Sequence, residues 1–213
     1  FFMKKPDAET VLPQPKEKKG VSEETVDYYC KDMIKRSSFW KFFLYSILAV
    51  ATGQVVISLA KDVAMVSGAA ESLAILLVGV LSICNGLGRV ITGFLSDMIG
   101  RKKTMLIAAS ITVIAPILML LAVTFSSVTL VIAGLCMIGL AYGTIPPLTT
   151  SYISSFYGMK HFPLNFGIIG LATIPASFVA TIAGAIVTAT GSFVYVFIML
   201  IAFAALAFVI NLT

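Results

Sequence analysis

From residue 38 onward the chain alternates long apolar runs with short polar breaks. The runs cover about 39–59, 72–95, 104–123, 128–151, 163–188 and 193–210. Each is close to the roughly 20 residues an α-helix needs to cross the hydrocarbon core of a bilayer. They are continuous, whereas a membrane strand alternates lipid-facing and lumen-facing residues over about 10 positions. Without water, every amide in the bilayer core must be satisfied internally, so each run is expected to be a helix. The expected fold class is an all-α membrane protein with six transmembrane helices. Residues 4–37 differ. Pro6, Pro13 and Pro15 and the mixed-charge run Lys16-Glu17-Lys18-Lys19 read as a polar linker, partly disordered. Ser22 followed by Glu23 and Glu24 could open a short helix there, with serine as N-cap and acids in the first turn. Phe1, Phe2 and Met3 read as the end of a preceding apolar helix. The expected organisation is thus the tail of a helix over 1–3, a linker over 4–37 and a helical bundle over 38–213.

Composition sharpens this. The 213 residues are 59% hydrophobic and 12% charged, against about 45–50% and about 25% in soluble domains. An ordinary soluble enzyme and a nucleic-acid-binding module are excluded. The net charge of +5 points elsewhere, because the cations cluster. Lys4, Lys5, Lys16, Lys18, Lys19, Lys31, Lys35 and Arg36 precede the first run. Arg101, Lys102 and Lys103 follow the second, and Lys160 follows the fourth. The alternate breaks hold Lys61 beside Asp62 and Glu71. By the positive-inside rule, the linker, the second and fourth breaks and the C-terminus face the cytoplasm of a cell membrane. Trp40 and Lys41 suit interfacial anchors.

Catalytic and metal chemistry has little material. Cys30, Cys84 and Cys136 show no ligand or disulfide spacing, and His161 is the one histidine. No catalytic residue, metal or cofactor is expected. Cys84 and Cys136 read as small packing residues. The runs instead hold Pro116, Pro146, Pro147 and Pro175 and many glycines. Gly139 and Gly143 form a GxxxG pair suited to close helix packing. The Pro146-Pro147 pair suggests a broken helix of the kind transporters place near their sites.

The sharpest local signal is Gly93-Phe94-Leu95-Ser96-Asp97-Met98-Ile99-Gly100-Arg101-Lys102-Lys103, between the second and third runs. Gly93 would permit a close helix contact and Gly100 a tight turn. Asp97 could accept hydrogen bonds at a helix end and pair with a cation across a gate. Arg101 and its two lysines would rest on an anionic leaflet. The stretch resembles the loop motif GxLxDxxGRK of the major facilitator superfamily. That resemblance implies a secondary transporter of two six-helix halves, with this chain as helices seven to twelve. Its partners would then be the bilayer and an N-terminal six-helix half.

Arg89 lies eight positions before Asp97, about 12 Å deeper along a helix. That is near the membrane centre, where an arginine costs at least about 2.5 kcal/mol unless it meets water or a partner. Ser82, Asn85, Arg89, Thr92 and Ser96 recur at helical spacing, a polar stripe expected to face a cavity. A guanidinium there could hold a carboxylate in a bidentate fork. The bland alternative is a structural arginine paired with a carboxylate or with backbone carbonyls. Thr173, Ser177, Thr181 and Thr188 form a second stripe, and Tyr142, Thr144, Thr149, Thr150 and Tyr152 a third group. The first run adds Tyr45, Thr52, Gln54 and Ser58. Such hydroxyls as often bond their own helix carbonyls.

Asn85-Gly86-Leu87-Gly88-Arg89 resembles the oxalate/formate antiporter family, as does Phe156-Tyr157-Gly158-Met159-Lys160 followed by Asn165-Phe166-Gly167. The resemblance implies that Arg89 holds a substrate carboxylate and that aromatic residues in the region of Tyr142 line the cavity; the polar stripes add Asn85, Gln54 and Thr173 as candidate substrate contacts. The family's oxalate exchangers also use a lysine in helix eleven. The matching region lies near Thr173, and the fifth run has no lysine. A monocarboxylate such as formate, lactate or pyruvate, with protons as a further partner, fits one cation better than a dianion does. The alternatives are a carrier of the same fold for another substrate, and a self-contained six-helix channel.

Overall fold

The structure, a computed structural model, describes residues 27–212. The expected helix tail at 1–3 and the short helix at Ser22 lie outside the described residues. The described chain is all-helical: α1 Cys30–Ile34, α2 Ser37–Val66, α3 Glu71–Ile99, α4 Arg101–Thr124, α5 Val128–Gly143, α6 Ile145–Phe156, α7 Phe162–Gly170, α8 Thr173–Thr190 and α9 Val194–Leu212. Six spans are long and apolar enough to cross a membrane, with α5–α6 and α7–α8 each forming one. The sequence pattern located all six, and the helices mostly overrun the apolar runs. The first extends to 30 residues, since a helix continues into the interface until the chain offers a stop.

The two broken spans follow from proline chemistry. A proline lacks an amide donor and its ring collides with the carbonyl four residues back. Pro146 and Pro147 therefore disturb the carbonyls of Tyr142 and Gly143, and the helix parts at Thr144. The Thr144 hydroxyl donates to the Ala141 carbonyl at 2.7 Å, satisfying an acceptor at the break. Pro175 disturbs the carbonyl of Leu171, and the fifth span parts at Leu171 and Ala172. Pro116 is buried inside α4, which runs through it.

Between apolar helices in lipid there is little hydrophobic drive, so association rests on close packing. The tightest contact joins α3 to α5. A Cβ at Gly139 would lie 2.6 Å from the Leu81 carbonyl oxygen and 2.8 Å from Cys84 Cβ. One at Gly143 would overlap the Asn85 carbonyl oxygen, and one at Gly88 the Leu140 carbonyl oxygen. The glycine pair thus packs backbone on backbone, with Gly88 as its counterpart. Gly134 instead makes room for a side chain, the Met119 thioether from α4.

The end of the bundle carrying Arg101 and Lys160, here the basic end, is closed by aromatic residues. Phe42 stacks on Tyr152 with centroids 3.9 Å apart, and Tyr152 meets Tyr157 edge-on. Residues 27–36 dock against this end. The Tyr28 amide donates to the Tyr157 carbonyl at 3.0 Å. The fully buried Asn165 donates from Nδ2 to the Tyr28 carbonyl at 3.0 Å. The Lys160 amide donates to Asp27 Oδ1 at 3.1 Å. Tyr29 stacks on His161, and Met33 is fully buried. Gly158, at φ +78°, turns the chain against Asp27 where a side chain would collide. Asn165 is therefore a tie between this docked segment and α7. At the opposite end Lys61 meets Glu71 at 2.7 Å, an exposed pair of small energetic weight.

Two outcomes check this packing. Gly143→Ala must push α3 and α5 apart, and overpacking of this kind costs about 1–3 kcal/mol. Thermal unfolding of the intact protein in detergent should show that loss, while Gly79→Ala, with open space around its Cβ position, should not. Asn165→Ala removes a net hydrogen bond worth about 1 kcal/mol, so hydrogen exchange at the Tyr28 amide should quicken about fivefold. Unchanged exchange would mean that Asn165 does not hold the docked segment.

Candidate functional site

The α3–α5 contact fixes the rotation of α3 about its axis. Leu81, Gly88 and Thr92 turn inward and are buried. Ile83, Leu87, Val90 and Phe94 form an exposed apolar face. Between these faces runs the polar sector holding Ser82 and Arg89. The expected stripe is therefore split. Ser82 and Arg89 are exposed on the surface of the described chain, Thr92 is buried, and Asn85 and Ser96 sit half-buried along the edge. Asn85 Oδ1 and Ser96 Oγ are sealed from solvent with no hydrogen-bond partner among the described residues. Asn85 is thus placed by the same backbone approach that requires Gly143.

A second group forms where α2, α5 and α8 meet. Gly53 leaves room for the Tyr142 ring, which packs on the buried cluster of Val50, Ala51 and Ala176. Gln54 Oε1 lies 3.4 Å from Ser177 Oγ. Thr173 is exposed and opens α8 directly after the break, its carbonyl accepting the Ser177 hydroxyl at 2.9 Å. Gln54, Tyr142 and Thr173 thus share one neighbourhood. Asn85 and Arg89 belong to the α3 surface, linked to this second group through Tyr142 and Gly143, which are chain neighbours.

Depth relates the two groups. Arg89 lies ten residues from the last residue of α3 at the basic end, about 15 Å along the axis. Thr144 lies twelve residues from the basic end of α6, and Ala172 ten from that of α7, by position in the chain. The arginine and both helix breaks thus stand within a turn of one another in depth, near the middle of a hydrocarbon layer about 30 Å thick. Helix breaks expose backbone carbonyls and amides, which lipid cannot satisfy and a water-filled cavity can.

Most hydroxyls of the expected stripes serve their own helices. Thr52 donates to the Leu48 carbonyl at 2.9 Å, Ser82 to Val78 at 3.0 Å and Thr149 to Ile145 at 2.8 Å. Thr150 and Thr188 do the same with Pro146 and Gly184. This back-bonding satisfies them without a ligand. Tyr152 is also removed from the mid-depth group: its hydroxyl donates to the Ser38 carbonyl at 2.9 Å, at the basic end.

In the loop motif, Gly100 adopts φ +82°, ψ 160° between α3 and α4, a conformation that a β-carbon disfavours. Arg101 and Lys102 open α4, and both are exposed, as is Asp97. Gly93 makes no close approach to any described residue. The close approach expected of it belongs to Gly88 on the inner face, because the two glycines point to different sides of α3. Sequence reasoning missed a cavity at the basic end, lined by Lys41, Arg101 and Tyr152 among others. It joins residues from four spans, and no run of sequence holds them together.

Residues 42–213 match the family model described as Major Facilitator Superfamily. The chain is also similar to the uncharacterized MFS-type transporter YhjX of Escherichia coli (strain K12), with 30% identity over 158 residues. That match covers 71% of this chain and 37% of the relative, so the chain spans well under half of the relative's length.

Proposed function

Because the chain belongs to the Major Facilitator Superfamily, we propose that it forms the C-terminal six-helix half of a secondary transporter for a small organic anion. The observation that carries this reading is Arg89: a permanent cation at mid-depth, on an outward polar sector, level with two helix breaks. An arginine at that depth needs water, an anion or a protein partner. A carboxylate held in a bidentate fork satisfies it with two charge-assisted hydrogen bonds.

In this reading an N-terminal half covers the exposed sector of α3 and the face of α8 that carries Thr173, and the two halves rock about the site between them. Arg89 binds the carboxylate. Asn85 backs the arginine with its Oδ1 turned away from solvent, and Gln54, Tyr142 and Thr173 shape the far wall. The resemblance to the oxalate/formate antiporter family supports a carboxylate, and the absence of lysine from residues 162–190 favours a monocarboxylate of the formate, lactate or pyruvate type. A single guanidinium neutralises one negative charge, and proton coupling would suit such a substrate. The basic end faces the cytoplasm of the cell membrane, with Gly93, Asp97, Gly100, Arg101 and Lys102 as the gate-forming loop.

Uptake of labelled formate, lactate, pyruvate and oxalate into liposomes bearing the intact protein tests the substrate. Saturable uptake of one monocarboxylate is expected, lowered at least about 30-fold by Arg89→Gln, since truncating a buried charge-assisted contact costs about 2–5 kcal/mol. Unchanged uptake in a folded Arg89→Gln protein would make the arginine structural. No uptake of any carboxylate would move the substrate to another class. The surface assignment has its own check. A cysteine at Ser82 or Thr173 should react with a water-soluble thiosulfonate, and substrate should protect it, while one at Leu87 should stay unreactive in the bilayer. Equal reactivity at all three would remove the aqueous cavity from the reading.

A further inference from the structure

Apart from the mid-depth surface, the basic ends of α2, α4, α6 and α9 line an open-mouthed cavity of about 640 Å³. Volumes of roughly 300–1,000 Å³ hold drug-sized molecules, so a bare inorganic ion would leave most of this one empty. Its walls are apolar and aromatic, built on Phe42, Tyr45, Leu148 and Tyr152. They are preformed: the Phe42 and Tyr152 rings lie 5° from parallel, and the Tyr152 hydroxyl is held on the Ser38 carbonyl.

The polar part of the cavity carries one sign. Lys41, Arg101 and Lys102 line it, and among the described residues no aspartate or glutamate does. Two long helices also begin there. Ser37 and Ser38 open α2, and Arg101 and Lys102 open α4, and neither N-cap residue, Arg36 or Gly100, caps its helix with its own side chain. The first turn of a helix presents amides and partial positive charge to an anion. Three cations and two such termini offer more donors than the two oxygens of a carboxylate can use, and a phosphate offers more acceptors. Arg89 is not part of this wall. It stands ten residues back along α3 from Ile99, so the cavity is a different place from the proposed substrate site.

We propose that this cavity binds a phosphate-headed amphiphile, with the phosphate among Lys41, Arg101 and Lys102 and the apolar body against Phe42, Tyr45, Leu148 and Tyr152. Such a molecule bridges the start of α2 to the start of α4, and so ties the loop motif to the helix that follows the linker. The same chemistry has two sources, a phospholipid of the adjoining leaflet or a soluble phosphate monoester with an apolar group.

The test is calorimetric titration of the delipidated intact protein, carrying Arg89→Gln throughout so that the proposed substrate site is silent. The probes are dihexanoyl phosphatidylglycerol, dihexanoyl phosphatidylcholine, hexyl phosphate and inorganic phosphate. Saturable one-to-one binding of phosphatidylglycerol or hexyl phosphate is expected. Phosphatidylcholine should bind less tightly than phosphatidylglycerol. Each buried methylene adds about fourfold in affinity, so inorganic phosphate should bind at least about 100-fold more weakly than the hexyl ester. Lys41→Gln should weaken binding about fivefold, the weight of one cation near a charged surface, and Lys41→Arg should restore it. Ser151→Leu, which narrows the cavity without changing charge, should weaken the lipid and the hexyl ester together. Phosphatidylglycerol binding at least about tenfold tighter than hexyl phosphate would identify the leaflet as the source. Hexyl phosphate binding as tightly would identify a soluble ligand. Overturning results would be no saturable binding of either probe, binding untouched by both Lys41→Gln and Ser151→Leu, or inorganic phosphate binding as tightly as its hexyl ester.

Discussion

Backbone contact between α3 and α5 determines where the polar sector of α3 lies. Gly139 and Gly143 approach the Leu81, Cys84 and Asn85 backbone segment, and Gly88 answers from the other side. A contact made by backbone atoms leaves little freedom to rotate, because any side chain turned into it would collide. The rotation of α3 then follows: Gly88 and Thr92 point in, Leu87 and Phe94 point out, and Arg89 falls on the polar boundary. Larger interfacial side chains would keep the helices farther apart and leave the angle of α3 to softer contacts. In lipid, where van der Waals packing carries association, the small residues also provide the cohesion.

The prolines supply the second constraint. Each break leaves backbone groups that an intact helix would have paired, and each occurs at a depth where lipid could not solvate them. Thr144 recovers part of the loss by donating to Ala141. The Leu171 carbonyl accepts from the Ile174 amide at 3.0 Å, a tighter turn that replaces the lost bond. Two breaks at the depth of a charged residue make that layer polar within an otherwise apolar stretch of the bundle. Polar groups at that depth need water or a ligand, and the geometry concentrates that need in one layer.

How much of this was legible in the sequence depended on range. The six spans were, because crossing a bilayer is a demand on length and composition that each segment meets alone. The breaks were signalled by Pro146, Pro147 and Pro175, since a ring clash with the carbonyl four residues back is local. The GxxxG pair was visible, but its counterpart Gly88 was not, because recognising it needs the facing helix. Gly93 belongs to the loop motif, yet it faces away from the contact. Periodicity placed Thr92 and Arg89 on one stripe, and the packing of α5 divides that stripe lengthwise. The docking of residues 27–36 was illegible altogether. Its ties join Asn165 to Tyr28 and Lys160 to Asp27, more than 130 positions apart by the numbering, and composition alone reads the segment as linker.

The two cationic features of the bundle are built to different physical ends. Arg89 is a single guanidinium in a layer with few other charges, so its energy depends on what lies directly against it. Such a charge discriminates sharply, because an ill-fitting anion leaves desolvated donors unpaired. Lys41, Arg101 and Lys102 instead sit together at the end of the bundle, beside two helix N-termini and above an aromatic wall. Their fields add, water is close by, and the cost of a poor fit is small. A site of the first kind suits a substrate that must be chosen and then released, since one pairing interaction can be broken in one step. A site of the second kind suits a ligand held by several weak attractions at once, whose loss requires all of them to fail together. The difference comes from depth: the same cationic chemistry is selective where the surroundings are apolar and adhesive where they are wet.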